Sequence, residues 1–229
     1  MRRPCIAIDG PVAAGKSTLA RLVASRLGFT YIDTGAMYRA LGWAAQQRGL
    51  TAEQPLQATA LLDEVDIRLL PRPDGGNQVL VNERDVTGEI RTPEIGQLAS
   101  QLSALPGVRT RMVAHQQEMA REGGVVMEGR DIQTVVLPEA EVKIFLLASA
   151  EERARRRCEE LRQKGLAAEL ETVLAELQER DRRDSTRAHS PLKAAPEAVW
   201  LDSDGLSIEE VVARVLAIVR EKTGVTAAE

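Results

Sequence analysis

Short apolar runs alternate with stretches whose hydrophobic residues recur every three or four positions, and this rhythm changes near the middle of the chain. Cys5 to Ile8 form a continuous apolar run ending in Asp9. Leu19, Leu22, Val23 and Leu27 then share one helical face as far as Gly28, a glycine suited to a helix C-cap. Residues 29–33 (FTYID) predict a second short strand, and 36–47 a second helix. A β–α–β–α opening of this kind predicts a parallel sheet with helices on its faces. Between 65 and 82 the period becomes two: VDIRLLP (65–71) and QVLVN (78–82) flank Asp74-Gly75-Gly76-Asn77, an antiparallel hairpin that 84–87 extends. Helices over 93–104 and 107–122 follow. VVME (125–128) and VKIFLL (142–147) restore the parallel pattern, apolar almost throughout as strands covered on both faces require. Charged helices are expected at 150–164 and 168–183, then a strand at 198–202 (AVWLD) and a helix at 207–222. In that last helix Ile208, Val211, Val212, Val215, Leu216 and Val219 share a face, and Ser207 with Glu210 makes a capping box. The expected fold class is α/β. Residues 1–62 and 111–229 form a helix-covered parallel core, and 63–110 form an insertion carrying a small antiparallel sheet.

The join between the first strand and helix reads Gly10-Pro11-Val12-Ala13-Ala14-Gly15-Lys16-Ser17-Thr18. Strand, Gly-x-x-x-x-Gly-Lys-Ser and helix in immediate succession are the context of a P-loop. Gly10 and Gly15 free the backbone to aim successive N–H groups at a phosphate, and the helix that opens there adds the positive end of its dipole. Lys16 reaches for the β- and γ-phosphates, and the Ser17 hydroxyl is placed to hold Mg²⁺. A triphosphate site on residues 10–18, with ATP and Mg²⁺ as its occupants, is the first expectation.

Composition narrows the rest. With 229 residues, 44% hydrophobic and 28% charged, the chain can bury a full core as an ordinary globular protein. A net charge of −4 and 3% aromatics argue against a nucleic-acid partner. Cys5 and Cys158 are too few for a disulfide framework or a zinc site, and they fit a reducing compartment. Arg2-Arg3 is not followed by a long apolar segment, and no stretch approaches membrane-spanning length. A cytoplasmic monomer without a membrane partner is expected.

Three further clusters could carry chemistry. Asp33-Thr34-Gly35-Ala36-Met37-Tyr38-Arg39 follows the second strand, at the carboxyl end where an open α/β sheet binds ligands, so Arg39 is a candidate for a second anion. Asp33 and Thr34 could equally be helix caps. Glu128-Gly129-Arg130-Asp131 ends another strand, where a carboxylate can orient magnesium-bound water and Arg130 faces the crevice; a plain turn is the alternative. Residues 151–187 hold Arg153, Arg155, Arg156, Arg157, Arg180, Arg182, Arg183 and Arg187 among interspersed glutamates. They fit either a solvated helical face or an arginine-bearing lid, in which Arg153 and Arg156 or Arg157 reach one ligand together. No Ser–His–Asp or Cys–His constellation is visible, and His115 and His189 stand alone.

Together these segments resemble the bacterial cytidylate kinases of the nucleoside monophosphate kinase group. The likeness spans nearly the whole chain: 8–18 (IDGPVAAGKST), 33–39 (DTGAMYR), 86–95 (VTGEIRTPEI), 99–109 (ASQLSALPGVR), 128–138 (EGRDIQTVVLP), 142–149, 151–157 and 179–187 (ERDRRDSTR). The resemblance implies ATP-dependent phosphorylation of CMP and dCMP. By position it implies that Thr34, Ser100, Arg109 and Asp131 read cytosine, and that Arg39, Arg130 and Arg187 clamp the acceptor phosphate. Arg180 and Asp184 would face the sugar. Lys16, Arg130, Arg153, Arg157, Arg180 and Arg187 would act on the transferred group, with Ser17, and Glu128 through water, serving the metal. Residues 63–110 would be the CMP-binding insertion and 151–165 the lid.

The chain departs from the family pattern in places. Ala14 stands where glycine is frequent, which is harmless unless that position needs positive φ. Thr34 replaces the commoner serine, and Gln133 stands where glycine is usual, leaving the loop path there open. The missing histidine base agrees with the acceptor: a nucleotide monophosphate has a second pKa of about 6 and is already an ionised nucleophile. A P-loop kinase for UMP, a shikimate-like alcohol or dephospho-coenzyme A is the rival reading. A GTPase-type switch is disfavoured, since no Asn-Lys-x-Asp segment is present.

Overall fold

The computed structural model describes residues 2–163 and 165–227. The expected lid range 151–165 therefore contains one position, 164, that lies outside the described residues. Five strands make the main sheet: β1 (Arg3–Asp9), β2 (Thr30–Asp33), β6 (Gly123–Gly129), β7 (Val142–Leu147) and β8 (Val199–Asp202). Their spatial order is β2-β6-β1-β7-β8 and every pairing is parallel. β3 (Ile67–Pro71), β4 (Asn77–Val81) and β5 (Arg84–Asp85) form the small antiparallel sheet. Both sheets expected from the periodicity are thus present.

The pleat of β1 sends Ile6 and Ile8 to one face and Cys5 and Ala7 to the other. On the first face Ile6, Ile8, Val126 and Ile144 pack under α1 (Lys16–Leu27) and α8 (Ile208–Thr223) through Leu19, Val23, Val211, Val215 and Val219. On the second, Cys5, Ala7, Ile32, Val125 and Met127 meet α2 (Thr34–Gln47) through Ala36, Met37, Ala40 and Leu41. That layer runs without a break into Ala58 and Leu61 of α3 (Pro55–Glu64), Ile67, Val79 and Val81 of the small sheet, Ile95 of α4 (Pro93–Leu102) and Met112 of α5 (Pro106–Met119). A third, smaller cluster of Ala154, Cys158, Val173 and Leu177 closes α6 (Ala150–Gln163) on α7 (Leu170–Thr186).

Two local features differ from the sequence pattern. α3 was not evident, because only Ala58 and Leu61 of its ten residues are buried, a stripe too narrow to stand out. Residues 132–136 form one wide π turn directly after β6, which periodicity does not report.

The edge of β2 is met by a side chain from the insertion. Asn77 Nδ2 donates to the Tyr31 carbonyl at 3.0 Å, and its Oδ1 accepts the Asp33 N–H at 3.2 Å. The buried amide takes the place of a neighbouring strand and fixes the small sheet against the strand that delivers Asp33. A cleft of about 1140 Å³ separates that sheet from the first turn of α1, bounded by Ser17, Thr18, Arg21, Asn77 and Arg91. Arg21 Nη1 bridges it to the Asp74 carbonyl at 2.8 Å.

Candidate active site

Residues 10–18 lie at the carboxyl end of the central strand β1, and their geometry follows from close backbone packing. A Cβ on Gly10 would sit 2.1 Å from the Leu146 carbonyl oxygen of β7, so no side chain fits there. Ala13 takes the left-handed conformation at φ 58°, which costs an alanine about 1 kcal/mol. Ala14 is absent from the positive-φ residues and is buried, so the alanine at that position carries no such strain.

Lys16 is buried, and its Nζ donates to the Pro11 carbonyl at 2.7 Å. Burial, and then the charge of Arg130, pull its pKa down to about 7. A polyphosphate brought to the loop restores the cation. At pH 8 binding of an unreactive ATP analogue is therefore expected to be accompanied by net proton uptake. Asp9, held up at about 7 by burial, is already largely ionised at that pH and stays so beside charged Lys16. Calorimetry in two buffers of different ionisation enthalpy measures the uptake, and Lys16→Met should abolish it.

The Ser17 hydroxyl donates to Glu128 Oε1 at 2.7 Å, joining the first turn of α1 to the end of β6. Burial, and then Asp33, hold the Glu128 carboxyl above the ordinary glutamate value. A hydroxyl and a carboxylate at hydrogen-bonding distance beside a phosphate loop are the hard oxygen donors that Mg²⁺ accepts together with phosphate oxygens and water.

A second cluster gathers beyond the loop. Arg130 Nε donates to Asp184 Oδ2 at 2.9 Å, and its Nη1 to the Gly129 carbonyl at 3.0 Å. Arg109 is buried, ion-paired with Asp131 and bonded through Nη1 to the Ser103 carbonyl at 3.2 Å. Arg187 Nη2 lies 3.7 Å from the other Asp131 oxygen. Burial opposes ionisation of Asp184, but Arg130, Arg180 and Arg187 outweigh it and hold its pKa below the ordinary aspartate value. Burial and Arg130 pull Arg180 down to about 10. Arg39 Nη2 reaches Asp33 Oδ2 at 3.2 Å, Arg91 approaches the same oxygen at 3.6 Å, and Asp33 also caps α2. Ser100 Oγ faces Arg183 Nη1 at 3.4 Å. The Thr34 hydroxyl donates to the Glu128 carbonyl at 2.7 Å, a close approach that leaves room only for glycine at 129, where a Cβ would lie 2.8 Å from Thr34 Oγ1.

The arginines of α6 divide three ways. Arg153 is buried and bonded to the Ala148 and Val12 carbonyls and to Asp181. Arg157, as half-buried as Arg156, pairs with Glu160 at 2.7 Å. Arg156 is the one beside the loop: its Nη1 is 3.9 Å from where a Gly15 Cβ would be. It helps line a cavity of about 280 Å³ with Gly15, Leu146, Ser203, Leu206 and Val211.

The family model for cytidylate kinase matches residues 6–221. The chain belongs to the cytidylate kinase family. The cytidylate kinase of Carboxydothermus hydrogenoformans is 51% identical over 220 residues, covering 96% of this chain and 99% of that protein. The cytidylate kinase of Geobacillus thermodenitrificans is 52% identical over 223 residues, covering 97% and 99%. Among solved structures, an uncharacterized protein from Eubacterium ventriosum gives a TM-score of 0.52 at 11% identity over 96% of this chain and 99% of that one, a likeness of fold alone.

Several residues that build these clusters carried no functional signal in the sequence. Asp9, fully buried, accepts the Ile132 and Gln133 N–H groups at 3.0 and 2.8 Å and so anchors the turn behind Arg130 and Asp131. Gln133 donates to the Ile144 carbonyl at 2.6 Å and accepts the Ala195 N–H at 3.2 Å. The loop path at 133 is thereby fixed by side-chain bonds that glycine could not make. Tyr38 brings a buried hydroxyl into the second cluster, with the Arg109 guanidinium 5.8 Å from its ring centroid.

Proposed function

We propose that the protein transfers the γ-phosphoryl group of ATP to CMP or dCMP, giving ADP and CDP or dCDP. One observation carries this reading: Tyr38 Oη, Arg39 Nε, Arg109 Nε and Arg180 Nε are buried polar atoms without a hydrogen-bond partner among the described residues, all in the cluster beyond the phosphate loop. A buried polar group left unpaired costs about 1–3 kcal/mol, so a group of them calls for a polar, anionic ligand. Membership of the cytidylate kinase family supports the same acceptor.

In this reading Lys16 and the amides of residues 10–18 hold the triphosphate, and Arg39, Arg130 and Arg187 clamp the acceptor phosphate. Arg180 and Asp184 meet the sugar. Asp131 accepts from the exocyclic amine of cytosine while Arg109 donates to its ring carbonyl and nitrogen, with Ser100 and Thr34 completing the base-reading group. Arg156, through its approach to Gly15, is assigned to the donor side together with Arg157, and Arg153 acts through the loop backbone. Mg²⁺, held by the Ser17 hydroxyl and through water by Glu128, would neutralise charge on the phosphate oxygens. The acceptor phosphate is ionised at neutral pH, so the protein supplies alignment and charge rather than a base. Guanidinium forks fixed by Asp131 and Asp184 are oriented before the transferred charge develops, which is where electrostatic preorganisation gains most.

Residues 63–110 are assigned to acceptor binding, and α6 with the segment after it to a lid. Hydrogen exchange over 150–163 is expected to slow when the ATP analogue binds; equal exchange with and without it would remove the lid. The buried thiols Cys5 and Cys158 fit a reducing compartment such as the cytoplasm. Among the described residues no helix is long and apolar enough to cross a membrane. ADP release measured against CMP, dCMP, UMP, shikimate and dephospho-coenzyme A tests the acceptor. CMP and dCMP should turn over fastest, and preference for any other acceptor would overturn the reading.

A further inference from the structure

Residues 12 and 13 of the phosphate loop are held from outside the loop. The Val12 N–H donates to Asp181 Oδ1 at 3.1 Å, and the Val12 carbonyl accepts from Arg153 Nη1 at 2.9 Å. The same guanidinium nitrogen donates to Asp181 Oδ2 at 2.6 Å, which closes a ring around both main-chain groups of one residue. Arg153 Nε is in turn fixed to the Ala148 carbonyl at 3.0 Å. Val12 and Ala13 pack against the small core of Ala154, Cys158, Val173 and Leu177 between α6 and α7. The left-handed turn at Ala13 is therefore gripped by the helical hairpin as well as by its own glycines.

The helix that supplies Asp181 also builds the acceptor cluster. One turn further on, Asp184 takes Arg130 Nε at 2.9 Å, and Arg183 meets Ser100 of α4 at 3.4 Å. Arg187, just past the helix end, reaches Asp131. A single rigid element thus touches the donor loop at 181 and the acceptor residues at 183, 184 and 187. A carboxylate is the group this junction needs, since it accepts a main-chain N–H on one oxygen and a guanidinium on the other. An asparagine has one acceptor oxygen and would turn its NH₂ toward a donor.

We propose that Asp181 is a positioning residue that couples the two substrate sites through α7. Ordering of Arg130, held by Asp184, and Arg187 around the acceptor phosphate steadies α7, and α7 steadies the loop through Asp181 and Arg153. CMP then raises affinity for the donor and, by linkage, the donor raises affinity for CMP by the same factor. The proposal rests on the acceptor assignment above.

The test is the dissociation constant of an unreactive ATP analogue with and without saturating CMP, in the wild type, Asp181→Asn, Asp181→Glu and Arg153→Lys. The wild type should bind the analogue roughly tenfold tighter with CMP present, within the usual range of such couplings. Asp181→Asn should bring that ratio close to one, with affinity for CMP alone little changed. Asp181→Glu should restore part of the ratio, and Arg153→Lys, which keeps the charge but loses the fork, should lower it. A purely structural strut would lower the melting temperature or both affinities while the ratio stayed at its wild-type value. That result overturns the proposal, as does a wild-type ratio of one. Should Asp181→Asn not fold, an unchanged ratio in Arg153→Lys overturns it equally. Wild-type protein that binds the analogue but not CMP overturns the acceptor reading, and the coupling with it.

Discussion

Lys16→Met is expected to lower kcat by roughly 10³-fold, the upper end of what removal of one preorganised donor from a buried anion site brings about. The expectation comes from the position of the ammonium: buried, at the mouth of the loop, its charge suppressed by burial and Arg130 until a polyanion arrives. Such a group interacts weakly with the empty site and strongly with the γ-phosphoryl as charge develops on it. Stability should hold or rise slightly, because methionine replaces a buried cation with an apolar chain of similar length. Melting curves and steady-state kinetics separate the two effects. A variant with near-normal kcat would take Lys16 out of the donor site.

The second large effect is on base choice. Asp131→Asn should reduce the kcat/KM preference for CMP over UMP by about 10²-fold, since sites built around a substrate hydrogen bond discriminate by at least that much. Cytosine offers an exocyclic amine to an acceptor, whereas uracil offers a carbonyl. An aspartate satisfies the first and repels the second; an asparagine can donate to uracil. Affinity for the ATP analogue alone should stay within about twofold, as distant sites usually behave independently. Asp131 also neutralises buried Arg109 and approaches Arg187, so the variant should lose roughly 3 kcal/mol of stability in urea titration. An unchanged CMP/UMP preference would remove Asp131 from the base contacts, whatever happened to stability.

Residues whose role depends on their immediate neighbours in sequence were legible from the chain. The phosphate loop announces itself because strand, glycines, lysine and helix are contiguous. The hairpin around Asp74-Gly75-Gly76-Asn77 does so because alternation flips its period. Residues whose partners are distant in sequence were silent. Asp9 ends an apolar run like any strand-terminal acid, and only the fold brings it under Ile132 and Gln133. Asn77 reads as a turn residue until β2 is seen alongside. Asp181 is one acid among many charges in 179–187, and nothing in that stretch points to Val12. The approach of Arg156 to Gly15 depends on the rotation of α6 about its axis. The helical core of Ala154, Cys158, Val173 and Leu177 sets that rotation, and spacing alone cannot.

The claim at the centre of this account is that two phosphate-bearing ligands meet end to end, one on main-chain amides and the other on guanidinium groups. A crystal structure with CMP, Mg²⁺ and an unreactive ATP analogue tests it most directly. The account predicts the CMP phosphate among Arg39, Arg130 and Arg187, the cytosine on Arg109 and Asp131, and the γ-phosphate on Lys16. A single occupied site, or a CMP bound away from those arginines, would contradict it.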